Sequence, residues 1–165
     1  MKFVDFCDPS DLLCLIKKRT CAGDIIVHNG GITNTQELDL DLIMKKNFYF
    51  TKNLIESALD CDARVIYASS ASVYGHGKDG FKETSLCEPL NPYAYSKLSI
   101  DRYSSSIWNT VGLRYFNVYG PGDERKGDMA SVIAKAYECA KYGYRFEMYK
   151  ESNSYYRDFI HIDDI

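Results

Sequence analysis

The chain has 165 residues and a formal net charge of -3, and 45% of its residues are apolar. This size and composition suit one globular domain with a hydrophobic core. The acidic balance offers no basic surface for nucleic acid, and no apolar run has the length of a membrane span or a signal peptide. We therefore expect a cytoplasmic protein with neither nucleic-acid nor membrane partners.

The first third of the chain predicts two strands with a helix between them. Residues 2–6 alternate like a short strand, and a helix follows from Asp8-Pro9 to about Arg19. Residues 24–28 (D-I-I-V-H) predict a second strand that is buried on both faces. That strand stops at Asn29-Gly30-Gly31, where glycines let the backbone approach a flat group closely.

Residues 35–59 carry an apolar stripe with a period near 3.6, which predicts a long helix. Asn47 lies inside this stretch. Asparagine is mildly unfavourable within a helix, and a solvated surface position is its usual explanation.

The next predicted strand, residues 63–68, ends in small hydroxyl residues that include Ser70. Buried parallel strands deliver polar groups at their carboxyl ends, where the chemistry of open α/β sheets takes place. After a loop at residues 75–90, Asn91-Pro92 predicts a helix entry, and the helix extends to about Trp108. Tyr93 and Lys97 then fall four residues apart on one helical face.

This pair has a chemical use. A phenol titrates near pH 10 when unperturbed, and a nearby fixed cation favours the phenolate. Tyr93 could then exchange a proton with a substrate hydroxyl, and Ser70 could bind the same oxygen. The spacing alone is weak support, because such pairs are common on solvated helices.

The last third predicts a strand at residues 111–116, a helix at 129–142, and extended segments at 145–149 and 156–162. Asn117 follows the first of these strands directly. The repeated alternation of strands and helices predicts an α/β fold with a doubly wound parallel sheet.

Six cysteines form no C-x-x-C pair and have no histidine at ligand spacing. We expect buried, reduced thiols and no metal site.

Three segments carry a family resemblance: A-S-S-A-S-V-Y-G at residues 68–75, P-L-N-P-Y-A-Y-S-K at 89–97, and R-Y-F-N-V-Y-G-P-G-D-E-R-K-G-D-M-A-S at 114–131. In this order and spacing they resemble the extended short-chain dehydrogenase/reductase family of NAD-dependent nucleotide-sugar epimerases and dehydratases. The last segment resembles most the branch that inverts C6 of an ADP-heptose. The resemblance implies a Rossmann-like fold, tightly bound NADP or NAD, a nucleotide-diphosphate sugar substrate and a possible homo-oligomer of the complete enzyme.

By this resemblance, Tyr93 transfers the proton, Lys97 is its electrostatic partner and a ligand of the cofactor ribose, and Ser70 orients the substrate oxygen. Gly30 follows the strand beside the cofactor. Asn47 matches an asparagine of the family that orders the hydrogen bonds of the active site.

The resemblance also implies roles later in the chain. Asn117 and Arg157 would hold the diphosphate, for which an arginine fork is well suited. Lys126, five residues after Pro121, would be a second base acting on the opposite face of the sugar. His161 is expected to serve packing only.

The family begins with a strand and G-x-x-G-x-x-G, and this sequence contains no such motif. We therefore expect residues 1–165 to form a partial NAD(P)-binding domain that lacks the first βαβ segment and the C-terminal substrate domain. Alone, such a chain would be unstable or would pair residues 2–6 with residues 24–28.

Three alternatives stay open at this point. A UDP-sugar 4-epimerase is one, and a dTDP-sugar 4,6-dehydratase is another, although Ala71-Ser72 stands where a dehydratase would want an acidic pair. The third is a non-catalytic remnant or interaction module with the same fold. The choice between NAD and NADP is also open.

Overall fold

The computed structural model describes residues 7–154 and 156–165. The chain forms two compact units, Met1–Arg114 and Tyr115–Ile165. The predicted strand at residues 2–6 lies outside the described residues, and so does its expected pairing with residues 24–28.

The first unit contains a mixed set of helices and strands. In chain order these elements are α1 (Pro9–Arg19), β1 (Ile25–His28), α2 (Leu40–Ile43), a π-helical segment (Met44–Tyr49), α3 (Phe50–Leu59), β2 (Arg64–Ser70), a 3-10 turn (Ala71–Tyr74), α4 (Pro92–Ser104) and β3 (Thr110–Tyr115), whose last residue begins the second unit. The strand order is β1-β2-β3. β1 and β2 pair in parallel with Ile25 opposite Arg64, which confirms the predicted parallel α/β architecture.

The expectation that β1 is buried on both faces is wrong. Ile25 and Val27 are 59% and 61% exposed, whereas Ile26 packs against the core and His28 is buried. Side chains alternate between the two faces of a strand. The core cluster therefore covers one face of β1 and leaves the other open.

The long helix predicted from residue 35 begins five residues later, at Leu40, where the Asp39 side chain accepts a hydrogen bond from the amide of Leu42. It is also not one regular helix, because the widened π-helical segment separates α2 from α3. Such segments occur frequently at functional sites. Asn47 lies inside this segment and is only 2% exposed, so it is not the solvated residue that its type would suggest.

A cluster of buried apolar side chains forms a hydrophobic core in the first unit. α3 and α4 pack on β2, and α1 packs on α3. The buried members of this core are Ile16, Leu54, Ile55, Ala58, Ala63, Val65, Tyr67 and Ile100.

Gly112 on β3 leaves space for Tyr67 of the adjacent strand. A Cβ at Gly112 would overlap the Tyr67 hydroxyl and would lie 2.5 Å from its Cζ atom. Tyr67 is 2% exposed and its hydroxyl is hydrogen-bonded, so its ring has no room to withdraw.

We expect Gly112→Ala to lower the free energy of unfolding by about 2 kcal/mol, because overpacking forces buried groups apart. Urea denaturation followed by circular dichroism measures the change. Val111→Ala, at a half-exposed position on the same strand, is the matched control and should cost less than half as much. Equal effects of the two variants would contradict this explanation.

The second unit is smaller. It contains β4 (Asn117–Tyr119), a 3-10 segment (Asp123–Met129), α5 (Val132–Tyr142), two short 3-10 turns (Ser152–Ser154 and Ile162–Asp164) and β5 (Phe159–His161). β4 and β5 pair in parallel, with Asn117 opposite Phe159. The expected extended segment at residues 145–149 forms no strand.

The end of the helix after Pro92 and the burial of three cysteines differ from the predictions. The helix from Pro92 ends at Ser104, four residues before the predicted Trp108. The six cysteines are free, but the expected burial is wrong for Cys7, Cys14 and Cys21, which are exposed. Within the described residues, no helix combines the length and the hydrophobicity that crossing a bilayer requires.

Candidate active site

The carboxyl end of β2 presents Ser70. Burial alternates along β2, so Val65, Tyr67 and Ser69 face the core while Ser70 shares the opposite, partly exposed face with Ala68. The Ser70 hydroxyl oxygen accepts hydrogen bonds from the backbone amide and the hydroxyl of Ser72, at 3.2 and 2.9 Å. These bonds start the 3-10 turn and fix the Ser70 side chain at the end of the strand.

α4 begins as its sequence predicts. The Asn91 side chain caps the helix by accepting a hydrogen bond from the Ala94 amide at 2.8 Å, and Pro92 occupies the first turn. Tyr93 and Lys97 are both buried, at 9% and 7% exposure, and the Lys97 Nζ atom lies 5.9 Å from the centroid of the Tyr93 ring. The predicted pairing of phenol and ammonium is therefore present.

Lys97 also joins α4 to β2. Its Nζ atom donates to the Ala68 carbonyl oxygen at 2.7 Å, two residues before Ser70. Burial lowers the pKa of Lys97 from 10.5 to about 8, against the opposing effect of the Asp101 carboxylate. At neutral pH the side chain is mostly charged but can lose its proton far more readily than a surface lysine.

Asn47 fixes the loop that follows β1. Its Oδ1 atom accepts from the Ile32 amide at 2.8 Å, and its Nδ2 atom donates to the Ile32 carbonyl at 3.0 Å and to the Ser96 hydroxyl at 3.1 Å. Gly31 has a φ of +141°, and a Cβ there would stand 2.8 Å from Asn47 Oδ1 and 3.9 Å from Lys97 Nζ. The glycine-containing loop is therefore held beside Lys97.

His28, at the end of β1, is a buried neighbour that the sequence did not single out. Its Nε2 atom lies 3.0 Å from the Thr51 hydroxyl, which itself donates to the Asn47 carbonyl at 2.6 Å. Since the Thr51 proton is used in that bond, Nε2 of His28 is the donor to Thr51. Burial first, and then the positive charge of Lys97, lower the pKa of His28 from 6.5 to about 4.

This low pKa predicts a pH-dependent stability. Between pH 6.5 and 4 the unfolded chain binds a proton at His28 that the folded chain does not. The free energy of unfolding should therefore fall as the pH is lowered through this range, by up to about 3 kcal/mol from this group, and the contribution should be flat above pH 6.5. Urea denaturation between pH 4 and 7.5 measures it.

His28→Gln should flatten this slope, whereas the control His76→Gln should keep it because His28 is unchanged. A slope that is the same in His28→Gln and in the unmodified chain would contradict the assignment.

The residues around Lys97 fit a nicotinamide cofactor. The Lys97 ammonium has three donors, and among the described hydrogen bonds one of them is used by the Ala68 carbonyl. The hydroxyl pair of a ribose matches the remaining donors. Gly30 and Gly31 leave the adjoining backbone without side chains, which allows a flat group to approach.

In the second unit, Asn117 and Arg157 lie at the β4–β5 pair. The Asn117 Nδ2 atom donates to the Asp158 carbonyl at 2.8 Å, and Asp158 follows Arg157 directly. Arg157 is exposed, and its Nη1 atom donates to the Tyr156 carbonyl at 3.1 Å. Asn117 therefore helps to fix the backbone that carries an exposed guanidinium, which is suited to binding a diphosphate.

Lys126 lines a pocket of about 230 Å³ in the second unit, together with the Gly120-Pro121-Gly122 turn. Its Nζ atom lies 2.9 Å from Oδ1 of Asp123, whose side chain is 5% exposed. Although burial alone would raise the pKa of Asp123, hydrogen bonds from Ser131 and Lys126 lower it. Lys126 is therefore held beside a buried carboxylate at the edge of a pocket.

His161 lies at the end of β5 and contacts its neighbours within the second unit. Its ring packs 5.2 Å from the Tyr119 ring, and its Nδ1 atom accepts a hydrogen bond from the Asp163 amide at 3.2 Å. These contacts close the turn after β5.

Sequence reasoning missed several polar residues near Tyr93 and Lys97. His28 was visible only as the last residue of a strand, and Asp101 only as an acid one helical turn after Lys97. Arg114 lies on β3 and Asp101 on α4, so no local spacing in the sequence indicates that these two side chains form an ion pair.

The sequence matches the NAD dependent epimerase/dehydratase family over residues 1–165. An ADP-L-glycero-D-manno-heptose-6-epimerase of Brachyspira hyodysenteriae is 42% identical over 178 aligned residues, which cover 100% of this chain and 55% of that relative.

Solved structures of nucleotide-sugar epimerases are similar to this chain. The ADP-L-glycero-D-manno-heptose-6-epimerase of Helicobacter pylori is 36% identical with a TM-score of 0.80, and the match covers 95% of this chain and 50% of that one. The UDP-glucuronic acid 4-epimerase of Bacillus cereus, in complex with NAD, is 26% identical with a TM-score of 0.73, covering 96% and 50%. The Rossmann-like fold is thereby confirmed, and the chain spans about half the length of the relatives it matches.

Proposed function

This chain belongs to the NAD dependent epimerase/dehydratase family, and from that premise we propose that it is the part of a nucleotide-sugar epimerase that carries the proton-transfer residues, with an ADP-heptose inverted at C6 as substrate. The observation that supports this proposal most is the buried Tyr93–Lys97 pair, attached to the carboxyl end of β2 through Ala68. The 42% identity to a heptose epimerase favours that sugar.

In the proposed reaction, Tyr93 takes the proton of the C6 hydroxyl while Ser70 hydrogen-bonds the same oxygen. Lys97 favours the phenolate and binds the cofactor ribose. The bound NAD or NADP supplies the oxidising and reducing power for the transient carbonyl at C6.

The remaining proposed roles concern the substrate and the second half-reaction. Arg157 and Asn117 bind the nucleotide diphosphate, for which a guanidinium offers paired donors. Lys126 returns a proton to the oxygen when the opposite face of C6 is reduced, because a single acid is poorly placed for both faces. Asn47 and Gly30 shape the cofactor side of the site.

The test uses a completed chain, in which the parts of the Brachyspira hyodysenteriae relative that lie outside the match are joined to this one. We expect it to convert ADP-D-glycero-D-manno-heptose to the L-glycero epimer, as followed by NMR of the C6 proton. UDP-glucose and dTDP-glucose are the comparison substrates. Faster turnover of UDP-glucose would indicate a 4-epimerase in place of a heptose epimerase, and faster turnover of dTDP-glucose would indicate a dehydratase. If none of the three substrates is converted, a non-catalytic role is favoured.

A further inference from the structure

A buried polar network surrounds Asp101, one helical turn after Lys97 on α4. The Asp101 side chain is 10% exposed. Its Oδ1 atom accepts a hydrogen bond from the Tyr67 hydroxyl at 2.9 Å, and its Oδ2 atom accepts from Nε of Arg114 at 2.8 Å. One carboxylate therefore connects α4 with both β2 and β3.

Arg114 extends the network to the turn after β2. Its Nη1 atom donates to the Tyr74 hydroxyl at 3.0 Å, and its guanidinium carbon lies 4.9 Å from the centroid of that ring. Although burial opposes the charge, the hydrogen bonds to Tyr74 and Asp101 raise the pKa of Arg114. Tyr74 is 3% exposed and ends the 3-10 turn that begins after Ser70.

Tyr67 is locked in its neutral form. Burial and then the Asp101 charge raise its pKa, and its hydroxyl is also 2.7 Å from that of Ser104. The network thus pairs the Asp101 carboxylate directly with the Arg114 guanidinium, and the Tyr67 hydroxyl beside them keeps its proton near neutral pH.

The interactions of Lys97 with ionisable groups in the described part of the chain involve Tyr93 and Asp101 on its own helix and His28 on β1. His28 is neutral above about pH 4. Burial drives Lys97 towards the neutral amine, and Asp101 is the group that opposes this effect.

We propose that Asp101 is a positioning residue of this site: its bonds to Tyr67 and Arg114 fix the turn of α4 that follows Lys97, and its carboxylate places a negative charge four residues from that lysine on the same face of the helix. This role rests on the proposed function, since it matters to the reaction only if Lys97 serves Tyr93. Asp101 touches neither substrate nor cofactor in this scheme.

The test is an NMR titration of the whole chain with labelled lysine, in which the Lys97 signal is assigned by its absence in Lys97→Arg. Asp101→Asn keeps the size of the side chain and an oxygen acceptor but removes the charge. We expect it to lower the pKa of Lys97 by about one pH unit, as the loss of a nearby opposite charge does. Glu56→Gln, which removes an exposed carboxylate paired with Lys52 on α3, is the control and should leave Lys97 unchanged.

Arg114→Gln should shift the pKa of Lys97 in the opposite direction. Without the guanidinium the Asp101 charge is less compensated, so the pKa of Lys97 should rise. A purely structural role would lower the melting temperature of both variants and would not shift Lys97 in opposite directions. An unchanged Lys97 in a folded Asp101→Asn protein would overturn the proposal, and if that variant does not fold, the absence of a rise in Arg114→Gln would do so.

This readout needs neither turnover nor cofactor. If the completed chain has no epimerase activity but Asp101→Asn still lowers the pKa of Lys97, the proposed reaction is contradicted. The effect of Asp101 on Lys97 would then still hold.

Discussion

Tyr93→Phe is expected to lower the epimerase turnover of the completed chain by about 10² to 10⁴-fold, the usual contribution of a positioned acid or base. The change removes one hydroxyl and keeps the ring, so the packing of this 9% exposed side chain is preserved. The loss should appear in kcat with little change in KM, because Tyr93 acts on the reacting oxygen and not on the diphosphate.

Tyr95→Phe is the matched control. Tyr95 lies on the same helix, two residues further along, but is 47% exposed. Its variant should turn over like the unmodified completed chain. If Tyr93→Phe retained full turnover, Tyr93 would not be the proton-transfer group, and the proposed mechanism would be wrong.

Lys126→Met is expected to have an effect of similar size, about 10² to 10⁴-fold on turnover, because it removes the proposed second acid and base. Methionine keeps an unbranched chain of comparable length, so the pocket beside the Gly120-Pro121-Gly122 turn stays lined. The substitution also leaves the Asp123 carboxylate without its partner at 2.9 Å, so the melting temperature must be measured alongside turnover.

Lys135→Met on α5 is the control for Lys126, because it removes an exposed lysine whose Nζ atom donates only to the Asp128 carbonyl among the described contacts. It should leave turnover unchanged. A folded Lys126→Met protein with unaltered turnover would reject the two-base scheme and would leave Tyr93 as the single proton-transfer group.

The parts of the site that local sequence encodes could be predicted. The Asn91 cap and Pro92 determine where α4 starts, and a helix that starts there places Tyr93 and Lys97 on one face. The hydroxyl-rich end of β2 was likewise predicted, because a buried strand must change from apolar to polar residues where it leaves the core.

Features that depend on contacts between distant elements could not be predicted. The π-helical segment buries Asn47, and its bonds to Ile32 and Ser96 join residues that are 15 and 49 positions away. Periodicity describes one helix at a time and treats that residue as solvated. The burial of β1 on both faces is a wrong prediction for a related reason. An apolar strand sequence does not indicate whether other elements pack on one face of the strand or on both.

The network around Asp101 shows the same limit. Arg114 and Tyr67 contact Asp101 from two different strands, and Gly112 is small because the Tyr67 ring passes beside it. No periodic pattern in the sequence indicates these contacts. They become visible only when the strands are placed side by side.

The most direct test of the central claim, transient oxidation at the substrate carbon, is the fate of hydrogen at C6 in the completed chain. With ADP-heptose that carries deuterium at C6 in ordinary water, the account predicts an inverted product that keeps its deuterium, because the hydrogen removed from carbon is returned to the same carbon. Mass spectrometry of the product measures it. Loss of the deuterium to solvent during inversion would contradict the account.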